Sequence, residues 1–386
     1  MDKATTPNLA DVAKRAKAWA CYDCGKCSAT CPITLAGGAY SPRRQVLATN
    51  LGILDGLLDS STLSICLTCM MCDVRCPAGV NYTELVLRLR ELGYREGVEP
   101  ECSHGGALQS MMRIMAAGKT KQDRLAWLTD DLQTSSKEGE VFYWTGCTMF
   151  YDALFPELEM NTLEGTKAAV RLLNRLGVTP VVSPDERCCG HDLLWNGDRE
   201  NFERLARHNV KVVADSGAET LVVSCAECLR TWKLDYEPFF QGKAPKVLHF
   251  SEYLAERLPE LKFKLNEEHT FTYQDPCRLG RHLGIYEAPR AVMKALPDAT
   301  LVEMPRSGRR AVCCAGGTWS NCDRFAKRIQ VERLQEARAT GAEALVTACP
   351  KCQVHFRCAM KDPNLKDRIE IPLRDLATVV LDALAE

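Results

Sequence analysis

The sequence predicts a multidomain protein of mixed α+β and α/β class, in which a helical N-terminal domain precedes two duplicated α/β domains. Three observations lead to this prediction. The chain has 386 residues, too many for one compact core, so two or three domains are expected. It contains 21 cysteines, most of which fall into four clusters. Finally, the segment that ends at Cys225 recurs 124 residues later at Cys349, which indicates a duplicated domain.

Composition and charge exclude several classes of protein. With 49 Lys and Arg against 50 Asp and Glu, the chain lacks the basic surface of a nucleic-acid-binding protein. An apolar fraction of 46% excludes disorder as the main state. Residues Met1–Lys17 do not have the pattern of a signal peptide, and no apolar run is long enough to span a membrane. We therefore expect a cytoplasmic protein whose cysteines bind metal instead of forming disulfides.

The first two cysteine clusters each have the pattern C-x2-C-x2-C-x3-C-P, which is typical of bacterial ferredoxins. Three thiolates at this spacing reach three irons of one cubane, and the fourth cysteine ligates the other cluster. The pattern therefore predicts a helical, dicluster ferredoxin-like domain with two cubane [4Fe–4S] clusters. One would be held by Cys21, Cys24, Cys27 and Cys76, and the other by Cys66, Cys69, Cys72 and Cys31. Zinc is the alternative, although zinc usually takes two CxxC pairs separated by a longer loop.

The other two clusters contain five cysteines each. The first set comprises Cys147, Cys188, Cys189, Cys225 and Cys228, and the second comprises Cys277, Cys313, Cys314, Cys349 and Cys352. Five thiols exceed the needs of one tetrahedral ion, so the spacing favours a polynuclear iron–sulfur site in each copy. The spacing does not specify the cluster type, and disulfides or paired zinc sites remain alternatives.

Short β-rich runs alternate with amphipathic stretches around the five-cysteine sets. In the first copy we predict strands at Val141–Trp144, Pro180–Val182 and Thr220–Val223, and helices at Thr166–Leu176 and Arg199–Ala214. This alternation indicates a parallel sheet with flanking helices. The cysteines follow the predicted strands, so we expect them to converge at the carboxyl edge of the sheet.

These patterns divide the chain into four parts. We predict a ferredoxin-like domain over residues 1–95 that closes with a helix at Thr83–Arg95. A helical connector follows over residues 96–138, and the two duplicated domains cover residues 139–257 and 258–386.

Two ferredoxin motifs followed by two such cysteine-rich domains resemble the D-type subunit of heterodisulfide reductase, in which the duplicated modules are CCG domains. The resemblance covers about residues 15–385, and the run from Asp275 to Arg290 is its most specific part. It implies that each five-cysteine set holds a noncubane [4Fe–4S] cluster. It also implies catalytic roles for the paired cysteines, which are Cys188, Cys189, Cys313 and Cys314. Two positions depart from the family pattern: Ala315 replaces a glycine, and Gln274 stands where many relatives have histidine.

Two histidines are candidate proton donors to product thiolates. His191 lies two residues after Cys189, and His282 lies five residues after Cys277. The alternative is that each imidazole hydrogen-bonds to the backbone near its cluster.

The resemblance implies an oxidoreductase subunit of anaerobic metabolism that passes electrons from two cubane clusters to two noncubane clusters, for disulfide reduction or onward transfer. No flavin-binding motif is found in the sequence, so a flavin would be on a partner. That partner would be an A-type flavoprotein of heterodisulfide reductase, a membrane cytochrome b or a larger reductase complex, and the chain would reach a membrane only through it. Two alternatives remain. One is a pure electron relay in a flavin-based bifurcating, aromatic-ring or sulfite reductase complex, and the other is the iron–sulfur subunit of a glycolate or lactate oxidase.

Overall fold

The computed structural model describes residues 8–264, 268–320 and 322–385. Residues 1–7, 265–267, 321 and 386 fall within the predicted first and fourth domains and lie outside the described residues. The chain forms two compact units. The first comprises the residues up to Ala116, Gly190–Glu203 and Ala315–Ile329, and the second comprises Ala117–Cys189, Arg204–Cys314 and the residues from Gln330 onward.

Helices dominate the described residues, and the strands are short. The α-helices are α1 (Leu9–Arg15), α2 (Lys26–Thr30), α3 (Pro32–Leu35), α4 (Pro42–Leu51), α5 (Ser60–Ser64), α6 (Tyr82–Arg95), α7 (Ala107–Ala117), α8 (Thr148–Leu154), α9 (Thr162–Arg175), α10 (His191–Trp195), α11 (Arg199–Asp215), α12 (Ala226–Arg230), α13 (Phe250–Ala255), α14 (Glu287–Lys294), α15 (Arg324–Arg338), α16 (Pro350–Met360), α17 (Lys366–Ile369) and α18 (Leu376–Asp382). The strands are β1 (Val141–Trp144), β2 (Thr220–Val223), β3 (Lys246–His249), β4 (His269–Gln274), β5 (Ala299–Leu301), β6 (Ala344–Thr347) and β7 (Leu373–Asp375).

Helix α6 is the longest helix of the N-terminal region, and α1, α4 and α5 pack against it. Leu85, Leu89 and Leu92 recur at helical spacing on its buried face. The Asn81 side chain caps the helix by accepting a hydrogen bond from the Glu84 N–H at 3.0 Å. The predicted helix at Thr83–Arg95 is thus confirmed to within one residue.

Two parallel sheets form the second unit, one for each duplicated copy. The strand order is β1-β2-β3 in the first sheet and β5-β4-β6-β7 in the second. Strands β1 and β2 coincide with two of the predicted strands, and Val141 pairs with Thr220 in parallel register. Every residue of β1 is buried, as expected for a sheet covered on both faces. The two helices predicted in this copy are confirmed as α9 and α11, and α9 begins about one turn before its predicted start. The predicted fold class, a helical N-terminal region followed by two α/β domains, is confirmed.

The predicted strand at Pro180–Val182 is wrong as a regular strand. Val181 makes isolated parallel bridges to Ser135 and Phe142 instead. Pro180 and Pro184 lack backbone N–H donors, so the segment between them cannot extend a hydrogen-bonded ladder.

The helical prediction for residues 96–138 extends too far. Within this range the described residues are helical at Ser103–Gly106, which is a 3₁₀ turn, and in α7. Gly118 has a φ of +71°, a left-handed conformation that commonly ends helices. A polar run of turns and bends follows it.

The two copies in the second unit pack reciprocally. Helix α9 of the first copy packs against α18 of the second, and α14 of the second packs against α13 of the first. Helices α13 and α18 are equivalent, since each follows the last strand of its sheet. A reciprocal contact of equivalent helices has the symmetry of a two-fold dimer. Gly165 permits the close approach, because a Cβ there would lie 2.8 Å from Cγ of Asp375.

Candidate metal centres

Five cysteines from the ferredoxin-type motifs line one cavity in the first unit. They are Cys21, Cys24 and Cys27 of the first motif and Cys72 and Cys76 of the second, and Arg43 lines the same cavity. Cys24 is exposed, so this cavity lies at the protein surface. The four thiols that the spacing assigns to one cubane cluster therefore line the same space.

The four cysteines that the spacing assigns to the other cubane cluster line a second cavity, and they are Cys31, Cys66, Cys69 and Cys72. Burial raises the pKa of the Cys31 and Cys66 thiols, and it raises that of Cys72 well above its ordinary value. Iron is bound by thiolates, so metal ions would have to supply the positive charge that stabilises them here. The donor chemistry and the placement both fit a cluster.

Arg90 is a residue near this second cavity that sequence reasoning missed. Its buried guanidinium donates to the carbonyl oxygens of Leu63 at 2.7 Å and Cys66 at 2.8 Å. It also donates to the carbonyl oxygen of Trp195 at 2.7 Å. Arg90 therefore fixes the loop that carries Cys66. The signal that could have revealed Arg90 in the sequence is its charge on the otherwise apolar face of a helix, directly after Leu89.

In the second unit, the five-cysteine sets lie where strands end. Cys147 follows β1 by three residues, and Cys225 follows β2 by two. In the second copy, Cys277 follows β4 and Cys349 follows β6 in the same way. The carboxyl ends of parallel strands share one edge of a sheet, so each set converges there.

The two sets have the same internal contacts. In the first, Sγ of Cys147 lies 3.0 Å from Sγ of Cys188, and Sγ of Cys189 lies 3.4 Å from Sγ of Cys228. The corresponding contacts in the second set join Cys277 with Cys313 at 3.9 Å and Cys314 with Cys352 at 3.3 Å. Each member of a Cys-Cys pair thus contacts a cysteine from a different loop, so three loops meet at one sulfur-rich site.

The fifth cysteines bring the two sets together. The thiols of Cys228 and Cys349 lie beside that of Cys225, and their proximity holds its pKa well below the ordinary value. The contact with Cys225 and burial raise the pKa of Cys349 to about 12. All 21 cysteines lie in the described part of the chain, and none forms a disulfide there. Thiols packed this closely cannot all ionise without added positive charge, so the sets fit iron–sulfur clusters.

Buried ion pairs hold the first cysteine of each set in place, and sequence reasoning missed these as well. Glu186 accepts from Arg124 at 2.6 Å and from the N–H groups of Thr145 and Gly146 at 3.1 and 2.6 Å. It therefore joins the Cys147 loop to the Cys188 loop.

In the second copy, different residues hold the first cysteine in place. Arg290 donates to both carboxylate oxygens of Asp275 at 2.8 and 2.9 Å, just before Cys277. Gln274, a departure from the family pattern, donates to the Val312 carbonyl at 3.0 Å and accepts from Arg333 at 2.6 Å. Gln274 thus joins the Cys277 loop to the Cys313 loop.

Contacts between the two copies surround Cys225 and Cys349. The buried Lys351 ammonium lies 3.1 Å from a carboxylate oxygen of Glu227, and these residues lie within the two C-x2-C motifs. His249 of the first copy donates from Nε2 to the Ala348 carbonyl at 3.2 Å, while its Nδ1 accepts from the Ser251 N–H. These contacts fix the spacing between the two sets.

We expect the stability of the second unit to fall at acidic pH through His249. Burial lowers the pKa of its imidazole to about 4, below the unfolded value of about 6.5. The unfolded chain therefore binds a proton first. Stability is full above about pH 6.5 and falls by about 3 kcal/mol as pH drops toward 4. Thermal unfolding at several pH values should show this slope, and His249→Asn should flatten it. An unchanged slope in that variant would rule out His249 as its source.

The two candidate histidines occupy different surroundings. His191 is buried, and its Nδ1 lies 3.1 Å from Oδ1 of Asp192. His282 is half-buried, and Arg278 donates to its Nε2 at 2.6 Å. Because arginine can only donate, this nitrogen of His282 must accept.

The residue after each Cys-Cys pair has a left-handed backbone. Gly190 has a φ of +70°, and Ala315 has a φ of +58°. The position thus requires the conformation for which glycine is suited, and Ala315 adopts it against its preference.

We expect Gly190→Ala to lower the free energy of unfolding by about 1–2 kcal/mol, the cost of a left-handed alanine. Ala315→Gly should have a much smaller effect, because the relieved strain is offset by about 0.8 kcal/mol for one lost buried methyl. Anaerobic thermal unfolding of both variants would check this. Equal destabilisation by the two substitutions would contradict the assigned strain.

For the three cysteines outside the four clusters the sequence suggests no metal-binding pattern, so we predict buried thiols; this prediction is wrong. Cys102 and Cys358 are half-buried, and Cys322 is exposed. The neighbours of Cys102 and Cys322 in sequence are largely polar, so the local pattern carried no burial signal at these two positions.

Comparison with known proteins identifies the family. The model of the 4Fe-4S dicluster domain matches residues 17–80, and that of the CCG cysteine-rich domain matches residues 141–233 and 271–357. The D-type subunit of the dihydromethanophenazine:CoB–CoM heterodisulfide reductase from Methanosarcina barkeri is 30% identical over 400 residues, covering 95% of this chain and 93% of the relative. The chain belongs to the family of D-type heterodisulfide reductase subunits. The resemblance stated from the sequence is therefore confirmed.

Membership of this D-type family makes the chain an iron–sulfur electron-transfer subunit of the CCG-domain oxidoreductases. Its dicluster domain implies two cubane [4Fe–4S] clusters. A second relative, the B-type subunit of the fumarate reductase (CoM/CoB) from Methanothermobacter marburgensis, is 26% identical over 364 residues, covering 90% of this chain and 69% of the relative.

A solved structure and the helix lengths complete the comparison. The crystal structure of a hypothetical protein from Helicobacter pylori has the same fold with a TM-score of 0.58 at 10% identity, covering 90% of this chain and 68% of that one. Among the described helices, none is both long and apolar enough to cross a membrane.

Proposed function

We propose that the chain reduces a disulfide at the place where its two five-cysteine sets meet. The observation that carries this proposal is the contact of Cys225 with Cys349, which brings two equivalent sets side by side. Reduction of a disulfide to two thiols takes two electrons and two protons. Two adjacent one-electron sites suit this stoichiometry, because each can serve one sulfur atom.

The proposed ligands are the eighteen clustered cysteines. One cubane cluster is bound by Cys21, Cys24, Cys27 and Cys76, the other by Cys31, Cys66, Cys69 and Cys72, and each five-cysteine set binds a noncubane cluster. Bound clusters of these kinds supply one-electron transfer. The paired cysteines are buried, which keeps water away from the sulfur-rich sites.

The protein side chains around these sites position the cysteines and handle protons. Glu186 and Asp275 hold the loops of Cys147 and Cys277, as described above. Because Nε2 of His282 accepts from Arg278, a proton given by His282 would leave from Nδ1. His191 would deliver a proton held between its ring and Asp192.

The substrate and the partner are inferred from the relative in Methanosarcina barkeri. Its name specifies a CoB–CoM heterodisulfide and dihydromethanophenazine. We infer that this chain takes a mixed disulfide and is reduced by an A-type flavoprotein or a membrane cytochrome b. The chain would then be cytoplasmic, or bound at a membrane through that partner.

A pure electron relay is the second candidate function. The similarity to the B-type subunit of a fumarate reductase favours it, since that relative is named as a subunit of an enzyme that reduces fumarate. In this role the chain would pass electrons to another reductase and would not release thiols. In a third candidate function, the chain is the iron–sulfur subunit of a glycolate or lactate oxidase. This function predicts that a flavin-containing hydroxyacid oxidase co-purifies with the chain.

A single-turnover experiment distinguishes disulfide reduction from relay. The anaerobic chain is reduced with dithionite, freed of excess reductant and mixed with CoB–CoM heterodisulfide. Disulfide reduction predicts two thiols released for every two electrons lost from the protein. A reduced chain that keeps its electrons until a partner complex is added would support the relay and contradict the proposed function.

A further inference from the structure

Exposed apolar side chains are concentrated in one short part of the first unit. Of the ten large apolar residues exposed among the described residues, seven lie between residues 19 and 54, and they are Trp19, Tyr22, Leu35, Leu47, Leu51, Ile53 and Leu54. Trp19 is 71% exposed and Leu51 is 63% exposed. Grouped apolar exposure of this kind usually marks an interaction site.

Two contacts place the Trp19–Asp23 segment beside helix α4. The Asn50 side chain in α4 donates to the carbonyl oxygen of Ala18 at 2.9 Å, next to Trp19. Arg43, at the start of α4, forms an ion pair with Asp23 at 3.2 Å, next to Tyr22. The exposed side of α4 therefore runs along the Trp19–Asp23 segment.

Leu47 and Leu51 are one helical turn apart on α4, and Arg44 lies on the same exposed side one turn before Leu47. We call the surface formed by Trp19, Tyr22, Arg44, Leu47 and Leu51 the docking face.

The docking face adjoins the first cysteine-lined cavity. Tyr22 and Arg43 line that cavity together with Cys21, Cys24 and Cys27. Cys24 itself is exposed. A redox partner bound here would therefore lie against a site proposed to hold a cubane cluster.

The segment of the chain that carries the docking face is positively charged. Residues 8–54 contain six cationic side chains, all exposed, which are Lys14, Arg15, Lys17, Lys26, Arg43 and Arg44. The same range contains two acidic residues, Asp11 and Asp23. The local charge is thus +4 in a chain whose formal charge is −1. Such a surface attracts an acidic one and speeds its association.

We propose that the docking face binds an electron-donating protein whose own surface is acidic around an apolar centre. The proposal rests on the proposed cluster at Cys21, Cys24, Cys27 and Cys76. One electron would leave the reduced redox group of the donor and be accepted at that site, and no bond or proton changes. A protein fits better than a lipid surface, because the face adjoins a cavity proposed to hold a cubane cluster, and a redox protein delivers electrons there whereas a lipid headgroup carries none.

Binding of an acidic plant-type [2Fe–2S] ferredoxin to the anaerobically purified chain tests the proposal. We expect Lys17→Glu with Arg44→Glu to weaken binding about tenfold or more at low salt, with a smaller difference at high salt because screening removes the attraction. Lys243→Glu, a charge reversal at an exposed site in the second unit, is the matched control and should bind as the unmodified chain does. Equal binding by all three proteins would overturn the proposal.

The apolar part of the face has its own test. Trp19→Ala and Leu51→Ala should each weaken binding at every salt concentration, whereas Ile114→Ala, which is exposed elsewhere in the first unit, should not. The rate of electron transfer from the reduced ferredoxin should fall in parallel. Two variants on separate segments keep the test valid if one of them loses iron.

Iron content distinguishes a failure of the proposed function from a failure of the docking face. A chain without iron at the cubane sites would contradict the proposed function, whatever the docking result. A chain with full iron content that takes electrons equally fast in every variant would contradict the docking face alone. Binding of the unmodified chain to vesicles of phosphatidylcholine and phosphatidylglycerol, abolished by the same variants, would assign the face to a membrane and overturn the proposal.

Discussion

Serine in place of one paired cysteine, Cys188→Ser or Cys314→Ser, is expected to abolish disulfide reduction and to leave both cubane clusters intact. Sγ of Cys188 lies 3.0 Å from that of Cys147, and Sγ of Cys314 lies 3.3 Å from that of Cys352. Each thiol therefore belongs to a five-cysteine set, and neither thiol lines the two cavities of the first unit. Electron paramagnetic resonance of the reduced variants, with a disulfide-reduction assay, measures both effects.

Cys358→Ser is the matched control for these variants. Cys358 is half-buried and lies on α16, the same helix as Cys352, but outside the five-cysteine set. Its replacement should leave activity and all cluster signals unchanged. Retained disulfide reduction in Cys188→Ser or Cys314→Ser, or loss of the cubane signals together with activity, would contradict the roles assigned to the paired cysteines.

Removal of the Glu186 charge is expected to lower the free energy of unfolding by about 3–5 kcal/mol, the usual cost of breaking a buried ion pair. The side chains of Glu186 and Arg124 are each 1% exposed and 2.6 Å apart. Glu186→Gln would leave the Arg124 charge buried without its counterion. It would also replace an acceptor with an amide N–H₂ group where Thr145 and Gly146 donate.

Two comparisons separate this effect from ordinary charge loss. Asp215→Asn removes a carboxylate from an exposed ion pair with Lys211, and it should cost less than about 1 kcal/mol. The double variant Glu186→Leu with Arg124→Met should recover much of the lost stability, since it leaves no buried charge. Thermal unfolding under anaerobic conditions compares all three. A Glu186→Gln protein as stable as Asp215→Asn would refute the anchoring role of the pair.

Spacing made the cysteine sites the most predictable part of the molecule. The pattern around Cys21–Cys31 and its repeat around Cys66–Cys76 predicted the two groups of thiols that line the two cavities. The offset between Cys225 and Cys349 predicted a duplication, and the two sheets bear it out. Both signals are local or periodic, so they are readable without a structure.

The groups that hold those cysteines were not predictable in the same way. Glu186 reads as an ordinary polar residue before a Cys-Cys pair, and its partner Arg124 lies 62 residues earlier. Asp275 and Arg290 belong to a run recognised as family-specific, but the pattern alone did not give the reason, which is their bidentate ion pair. Such pairs are formed by the tertiary fold and leave no periodic trace in the sequence.

Contacts between the two copies escaped prediction for the same reason. The ion pair of Lys351 with Glu227 and the hydrogen bond from His249 to Ala348 depend on reciprocal packing of the two sheets. The predicted lengths of α9 and α11 were close to the observed lengths, because helical periodicity is a strong local signal. The predicted length of the helical connector was too great, because the left-handed Gly118 ends the helix.

The iron content of the anaerobically purified chain tests the central claim most directly. Two cubane and two noncubane [4Fe–4S] clusters predict about 16 iron atoms per chain. A double variant that lacks Cys225 and Cys349, the two cysteines in contact between the sets, should lose up to about eight of them and keep the cubane signals. A value of about eight in the unmodified chain would mean that the five-cysteine sets hold no clusters, and it would contradict disulfide reduction at their meeting point.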